Sequence, residues 1–180
     1  MSALVLIDLQ RAIDHPSWGV RNNPEAEQRG RHLLDAWRAA GGAVFHVRHD
    51  SVEPGSTYRP GQPLHAFKPE FEPRPGEIVI GKHTCDAFVD TVLEQLLREA
   101  GHQTLVIFGV ITNNSVETTV RHAASLGFDV CLVEDACFTF NKRDYRGVER
   151  SAEEVHAMSL ANLEGEYAHI ATVDEVLLTL

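Results

Sequence analysis

Two ionisable side chains stand directly after segments that are predicted to be buried strands. Asp8 follows the apolar run 3–7, and its carboxylate could serve as a general acid or base. Lys82 follows the segment 77–80 through a glycine, and an ammonium there can hold a neighbouring carboxylate ionised or assist a leaving group. Both residues could instead have purely structural roles. A carboxylate at the end of an element often caps backbone amides, and a surface lysine is usually only solvated.

The segment 109–115 is the most informative one, because an apolar strand passes through a glycine into a polar turn. Ser115 stands at or near the start of the helix predicted after it, where unpaired N–H groups and the positive end of the helix dipole meet. Those N–H groups can stabilise an oxyanion, and a hydroxyl beside a base can become a nucleophile. Helix capping is the competing interpretation, since serine and asparagine are preferred at any helix start.

Apolar, β-branched segments alternate with helical patterns along the chain, which predicts parallel βαβ units with helices on both faces of a sheet. Asn23 is predicted to cap the first helix, and capping-box patterns begin at Ser151 and Thr172. The 180 residues are expected to form one domain, 1–180. Strands are predicted at 3–7, 43–47, 77–80, 104–108, 130–133 and 168–171, and helices at 24–40, 89–100, 115–126, from 151 onward and at 173–180.

Open parallel sheets place functional groups beyond the carboxyl ends of their strands. The side chains of Asp8, Lys82 and Ser115 are therefore expected to meet around one hollow. The segment 53–76 is rich in proline and glycine and is predicted to be a long surface excursion. Its apolar residues should either cover a pocket or partner, or hold the loop on its own domain. They are Tyr58, Leu64, Phe67 and Phe71.

Composition excludes several classes of partner. Sixteen Lys and Arg against 26 Asp and Glu give a formal charge of −10, and without a basic block nucleic acid and anionic membranes are poor partners. No apolar run is long enough to span a bilayer, and the start of the chain lacks the pattern of a signal peptide. Three cysteines in no metal-type pair favour a reducing, cytoplasmic setting.

Four segments, in register with the predicted strands, resemble motifs of the isochorismatase-like hydrolases, also called the cysteine hydrolase or nicotinamidase-related family. They are Asp8-Leu9-Gln10, GKHTCDAF at 81–88, GVITNNSV at 109–116 and EDAC at 134–137. The resemblance covers nearly the whole chain. It implies a Rossmann-like, three-layer α-β-α fold with a mostly parallel sheet of six strands.

The resemblance also implies a catalytic triad, here Asp8, Lys82 and Ser115. The family nucleophile is a cysteine, and Ser115 stands at that position. In relatives the aspartate activates the nucleophile, the lysine supports both, and a covalent intermediate is released by water. A thiol is partly ionised near neutral pH, whereas a hydroxyl must lose its proton during attack.

Further site residues follow from the same resemblance. The peptide bond between Val110 and Ile111 is expected to be cis, with the Ile111 N–H and that of Ser115 directed at an oxyanion. Trp18 is expected to line the substrate site beside Val110 and Ile111, since relatives place an aromatic residue there. His49 is expected to face the substrate because it stands at the end of the second predicted strand.

Three interpretations of the function remain open. In the first, Ser115 acts as a nucleophile on a compact amide or related carbonyl compound. Alternatively, the reaction needs no nucleophile, as in isochorismatases, which cleave a vinyl ether with the aspartate as acid. Third, the site binds a small molecule without turning it over. Cys85, three residues after Lys82, is a further but disfavoured substitute for the nucleophile, because reactivity needs an exposed, electropositive setting.

No metal and no cofactor are predicted. Nicotinamidases of this family hold a divalent metal through an Asp-x-His motif after the second strand and further histidines. Here residues 48–50 are Arg-His-Asp, which reverses the order, although His65 lies downstream. The expected partner is a small-molecule substrate, and because relatives are commonly dimers or tetramers, a homodimer or homotetramer is expected.

Overall fold

The computed structural model describes all 180 residues, and its centre is a sheet of six parallel strands in the order β3-β2-β1-β4-β5-β8. A separate antiparallel hairpin consists of β6 and β7. The strands are β1 (Ser2–Ile7), β2 (Ala43–His49), β3 (Ile78–Lys82), β4 (Thr104–Gly109), β5 (Asp129–Val133), β6 (Lys142–Arg143), β7 (Glu149–Arg150) and β8 (His169–Ala171).

Helices flank this sheet, which confirms the predicted α/β fold. Helix α1 packs against α5, and α3 packs against α4. The helices are α1 (Ala26–Ala39), α2 (Leu93–Glu99), α3 (Glu117–Ser125), α4 (Ala152–Leu163) and α5 (Val173–Leu177). None of them is both long and apolar enough to cross a lipid bilayer.

The central strands are buried on both faces, as their unbroken apolar runs require. In β1 every residue after Ser2 is buried, and in β4 every residue after Thr104 is buried. These strands belong to one cluster of 44 buried apolar residues, to which the inner faces of the helices contribute. This packing gives the carboxyl ends of the strands a rigid base.

The chain runs from β1 to β2 and β3 on one side of the sheet, and then returns to β4 on the other side of β1. The order of the strands therefore reverses between β1 and β4, the place where such sheets bind ligands. Gly109 ends β4 with φ 143°, and a Cβ there would collide with the backbone oxygen of Ile7. Glycine at this position allows the two strand ends to lie this close together.

One predicted helix start is wrong, and a second is shifted by two residues. Asn23 does not cap α1: it adopts a left-handed conformation with φ 42°, and its side chain donates to the carbonyls of Glu134 and Cys137. The helix predicted at 115–126 begins later, at Glu117, after a π-type turn over Thr112–Val116. Both capping boxes, at Ser151 and Thr172, are confirmed.

Other differences concern short elements. The helix predicted at 89–100 is confined to Leu93–Glu99, and the last helix ends at Leu177 rather than at residue 180. The hairpin of β6 and β7 was not predicted, because strands of two exposed charged residues each show no apolar pattern.

The long excursion between β2 and β3 is held on its own domain. Tyr58 and Phe71 are buried in the main core, and the Tyr58 hydroxyl donates to the backbone oxygen of Asp8. The buried ammonium of Lys68 contacts carboxylate oxygens of Asp14 and Glu27, each at 2.7 Å. The loop therefore forms one side of the strand ends that carry Asp8.

Candidate active site

Three side chains from distant parts of the chain meet at the carboxyl edge of the sheet. The Lys82 Nζ lies 2.8 Å from Asp8 Oδ2 and 3.4 Å from Ser115 Oγ. Its third acceptor is the backbone oxygen of Thr84, at 3.0 Å. Lys82 has no exposed surface, so these three oxygens replace the water that its ammonium loses on burial. The predicted meeting of Asp8, Lys82 and Ser115 is thus present in the structure.

The strand order explains why a lysine is needed at this place. Lys82 ends β3, and β2 lies between β3 and β1, so a long side chain is required to reach Asp8 beyond β1. Gly81 leaves space for a neighbour, since a Cβ there would collide with Oδ2 of Asp50. The backbone of Asp50 in turn donates to the Lys82 carbonyl at 2.8 Å.

Asp8 keeps one carboxylate oxygen free. Its Oδ1 is buried and has no hydrogen-bond partner, while Oδ2 accepts from Lys82. The residue adopts a left-handed backbone conformation with φ 54°, and its N–H donates to Val47 at 2.9 Å. Buried polar atoms without a partner are rare in proteins, and an oxygen of this kind is available to accept a proton.

Ser115 lies in the π-type turn Thr112–Val116, which leads into α3. Turns of this kind are frequent at functional sites. The peptide bond between Val110 and Ile111, just before the turn, is cis. The N–H of Ile111 makes no backbone hydrogen bond within the chain, so it is a free donor close to the serine in sequence.

The turn is held from behind by α4, a contact that sequence analysis missed. The Oγ1 of Thr112 lies 2.9 Å from Nδ1 of the buried His156. One helical turn later, Ser159 Oγ lies 3.2 Å from the Thr112 carbonyl and 2.6 Å from Glu117 Oε2. Burial lowers the pKa of His156, which favours a neutral ring that accepts from the threonine hydroxyl. The available signal was a pair of polar residues three apart on a helix face that packs inward.

His49 stands beside the lysine, at the end of β2. Gln10 fixes its backbone, because the Gln10 side chain accepts from the His49 N–H at 2.7 Å and donates to the His49 carbonyl at 3.2 Å. Burial, and then the nearby Lys82 ammonium, lower the pKa of His49, so its ring is neutral near pH 7. The Nδ1 of this ring is buried and has no partner.

A family model described as the isochorismatase domain matches residues 2–175 of this chain. The chain belongs to the isochorismatase family. It is 37% identical over 175 residues to the isochorismatase family protein YrdC of Bacillus subtilis (strain 168), covering 97% of this chain and 94% of that protein.

Two further relatives extend this likeness to an enzyme and to a solved structure. A streptothricin hydrolase of Streptomyces noursei is 35% identical over 141 residues, covering 78% of this chain and 51% of that enzyme. A crystal structure assigned to the isochorismatase family, from Chromobacterium violaceum ATCC 12472, superposes with a TM-score of 0.96. It is 62% identical and covers 98% of this chain and 92% of that one.

Within this isochorismatase-family fold, the other expected substrate contacts differ in their exposure. Val110 is buried in the core, so its side chain is packed away from solvent. Ile111 and Trp18 are half-buried against the core. The Trp18 ring stacks on Phe140 with centroids 5.5 Å apart, and its Nε1 donates to the Ala12 carbonyl at 3.0 Å.

The segment considered for metal binding carries ion pairs. Asp50 Oδ1 lies 2.9 Å from Arg48 Nε and 2.6 Å from His65 Nε2. The Arg48 side chain thus pairs with a carboxylate of its own chain. No group of three or more His, Cys, Asp or Glu side chains is arranged to hold a metal ion.

None of the three cysteines contacts the Lys82 ammonium through its side chain. Cys137 is buried and accepts from the Gly109 N–H at 3.3 Å, and burial raises the pKa of its thiol to about 12. Burial likewise raises the pKa of Cys131 to about 11. Cys85 is half-buried and forms no disulfide.

Proposed function

We propose that this isochorismatase-family hydrolase cleaves a compact amide or related carbonyl compound, with Ser115 as nucleophile and Asp8 as base. One observation carries the proposal. A fully buried ammonium, Lys82, contacts both Asp8 and Ser115, while the second oxygen of Asp8 has no partner. A base, a nucleophile and a cation are thereby held together away from bulk water.

The first step is formation of an acyl-serine. The Ser115 hydroxyl gives its proton to Asp8 as Oγ bonds to the carbonyl carbon of the substrate. Lys82 donates to Oγ and thereby stabilises the negative charge that develops there. The free Ile111 N–H is suited to bind the oxyanion of the tetrahedral intermediate. Collapse of this intermediate breaks the C–N bond, and Asp8 returns the proton to the leaving nitrogen.

The second step is hydrolysis of the acyl-serine, in which water takes the place of Ser115 as the nucleophile. Water enters, gives a proton to Asp8 and attacks the acyl carbon, and the released Ser115 oxygen takes the proton back. Lys82 takes no part in these proton transfers, and its hydrogen bonds to Asp8 and Ser115 keep the two side chains together. The streptothricin hydrolase among the relatives supports a hydrolytic reaction on this scaffold.

A second candidate is favoured by the serine itself. A hydroxyl is a weaker nucleophile than the thiol that the family resemblance implies. If Ser115 does not attack the substrate, two functions are left for this site. It either cleaves a vinyl ether with Asp8 as the proton donor, or binds a small molecule without turnover. In both cases the side chain of Ser115 is dispensable for the reaction, and this separates them from the amide reaction.

Hydrolysis of a panel of small primary and secondary amides tests the proposal. The comparison includes the wild type, Asp8→Asn, Ser115→Ala and Ser115→Cys. Loss of about 10²-fold or more in kcat/KM is expected for Asp8→Asn and Ser115→Ala, because base and nucleophile act as a unit. Arg59→Ala, an exposed change outside the triad, serves as a control for protein quality.

Three results would contradict the amide mechanism. Activity that survives Ser115→Ala but not Asp8→Asn would show a reaction without a nucleophile. Binding without turnover in the wild type would show a silent site. Turnover that appears only in Ser115→Cys would identify a scaffold disabled by the serine.

A further inference from the structure

A large cavity lies beside the triad, and none of the three triad residues lines it. It is a groove of about 1220 Å³ between α4 and the hairpin of β6 and β7. Small-molecule pockets usually enclose about 300–1,000 Å³, so this groove has room for an organic ligand. Asn113 and Glu117, on either side of Ser115 in the chain, form part of its wall.

The groove contains cations that have no partner. Of the 16 Lys and Arg residues, five make no ion pair with a carboxylate, and three of these five fall within residues 142–146. Lys142 and Arg143 both line the groove. In a chain with a formal charge of −10, such a local excess of positive charge is unusual.

The acidic residues of the groove each contact an arginine, and none of them pairs with Lys142 or Arg143. Glu117 pairs with Arg121 at 3.0 Å, and Asp144 pairs with Arg150 at 2.9 Å. Glu154 also contacts Arg150, at 3.7 Å. Because Arg150 is shared by two carboxylates, the groove together with Arg121 carries a net charge of +1, and Lys142 and Arg143 are its two cations without an ion pair.

Exposed apolar surface lies next to these charges. Met158, on α4, is 63% exposed, and Tyr145, in the hairpin, is 90% exposed. Val155 and Ala157 add further apolar atoms from α4. The combination suits a molecule with an apolar body and an anionic end.

We propose that this groove binds a small organic anion, an aromatic or aliphatic carboxylate. Its apolar body packs on α4, and its carboxylate pairs with Lys142 and Arg143. The concave shape and the volume of the groove favour a small molecule over a protein surface. Because Asn113 and Glu117 belong to the wall, the bound anion lies next to the segment that carries Ser115.

Calorimetric titration with 1-naphthylacetate tests this proposal, with the uncharged 1-naphthylacetamide as its partner ligand. We expect the acid to bind at least about tenfold more tightly than the amide, and its affinity to fall as ionic strength rises. The double variant Lys142→Glu, Arg143→Glu should weaken binding of the acid by at least about tenfold. Arg11→Glu, Arg59→Glu makes the same charge change at two exposed arginines elsewhere and should leave binding unchanged.

Two more variants sharpen the test. Ala157→Trp should block the groove by volume alone, without any change of charge. Ser115→Ala should bind the acid as the wild type does, so the outcome is separate from that of the proposed hydrolysis. No binding by the wild type, or equal losses in the two charge variants, would overturn the proposal. The oligomeric state supplies one more contradicting result. If the wild type is a dimer and Lys142→Glu, Arg143→Glu is a monomer, the groove holds a second copy of the chain and not a small anion.

Discussion

Lys82 is the residue on which the candidate site depends. Its ammonium is fully buried, and a buried charge is tolerated only when it is paired and hydrogen-bonded. The oxygens of Asp8, Ser115 and Thr84 meet this requirement. Removal of the cation leaves the Asp8 carboxylate in a buried place without its counter-charge.

We therefore expect Lys82→Met to lower the free energy of unfolding by about 3–5 kcal/mol, because it breaks a buried ion pair on one side only. Adding Asp8→Asn should restore part of this loss, since the stranded charge is then removed as well. Urea unfolding of the two single variants and the double variant measures this coupling. Lys142→Met, at an unpaired surface lysine, is the control and should cost less than about 0.5 kcal/mol. A loss below about 1 kcal/mol for Lys82→Met would contradict the account.

Sequence reasoning found the members of this cluster but not its inner contacts. Asp8, Lys82 and Ser115 could be predicted because strand-end positions and the family motifs both select them. The acceptor role of the Thr84 carbonyl could not be predicted, since a backbone oxygen carries no signal in the sequence. His49 was selected for its position, whereas its unpartnered Nδ1 follows from the packing around it.

At the scale of the elements, the turn Thr112–Val116 depends on α4. Ser159 lies within hydrogen-bonding distance of the Thr112 carbonyl and of the Glu117 carboxylate, which stand before and after Ser115. This helix therefore fixes both ends of the segment that carries the proposed nucleophile.

Ser159→Ala should destabilise the protein by about 1–3 kcal/mol, because it removes the contacts of the buried Ser159 hydroxyl with the Thr112 carbonyl and the Glu117 carboxylate. It should also slow the acylation of Ser115 by an activated ester. Ser125→Ala is the matched control, as the Ser125 hydroxyl bonds only to Arg121 within its own exposed helix end. Thermal unfolding and the acylation rate are the two readouts. Equal behaviour of the two variants would show that α4 does not position the turn.

Most strands were predictable, because buried parallel strands are short apolar runs that alternate with helical patterns. The first residues of the helices were harder to predict from the sequence. Asn23 has the residue type of a cap, but its side chain bonds to the loop after β5, more than a hundred residues away. The turn Thr112–Val116 likewise depends on α4, which lies far along the chain.

At the scale of the molecule, two half-buried glutamates join separate elements of the fold through ion pairs. Glu77, just before β3, lies 2.6 Å from Arg38 on α1 and 2.8 Å from His46 on β2. Burial alone would raise the pKa of Glu77, but hydrogen bonds, first from Arg38, lower it to about 2. Burial would also raise the pKa of Glu27, but hydrogen bonds from Arg21 and Lys68 lower it to about 2.

These lowered pKa values predict how stability depends on pH. Since the folded carboxylates have a lower pKa than the ordinary 4.5, their stabilisation is complete above about pH 4.5 and is lost as the pH falls toward 2. Glu77→Gln should therefore cost about 1–3 kcal/mol at pH 7 and much less near pH 2. Urea unfolding across this range measures the difference, with the exposed Glu53→Gln as control. A loss for Glu77→Gln that does not change with pH would contradict the assignment.

Whether Ser115 becomes covalently acylated is the most direct test of the proposed chemistry. Wild type, Asp8→Asn and Ser115→Ala would be mixed with p-nitrophenyl acetate, quenched in acid and mapped by peptide mass spectrometry. We predict one acetyl group on Ser115 in the wild type, much slower labelling in Asp8→Asn and none at this peptide in Ser115→Ala. An acetyl group on another residue, or labelling that Ser115→Ala leaves unchanged, would contradict the claim that Asp8 and Lys82 activate this serine.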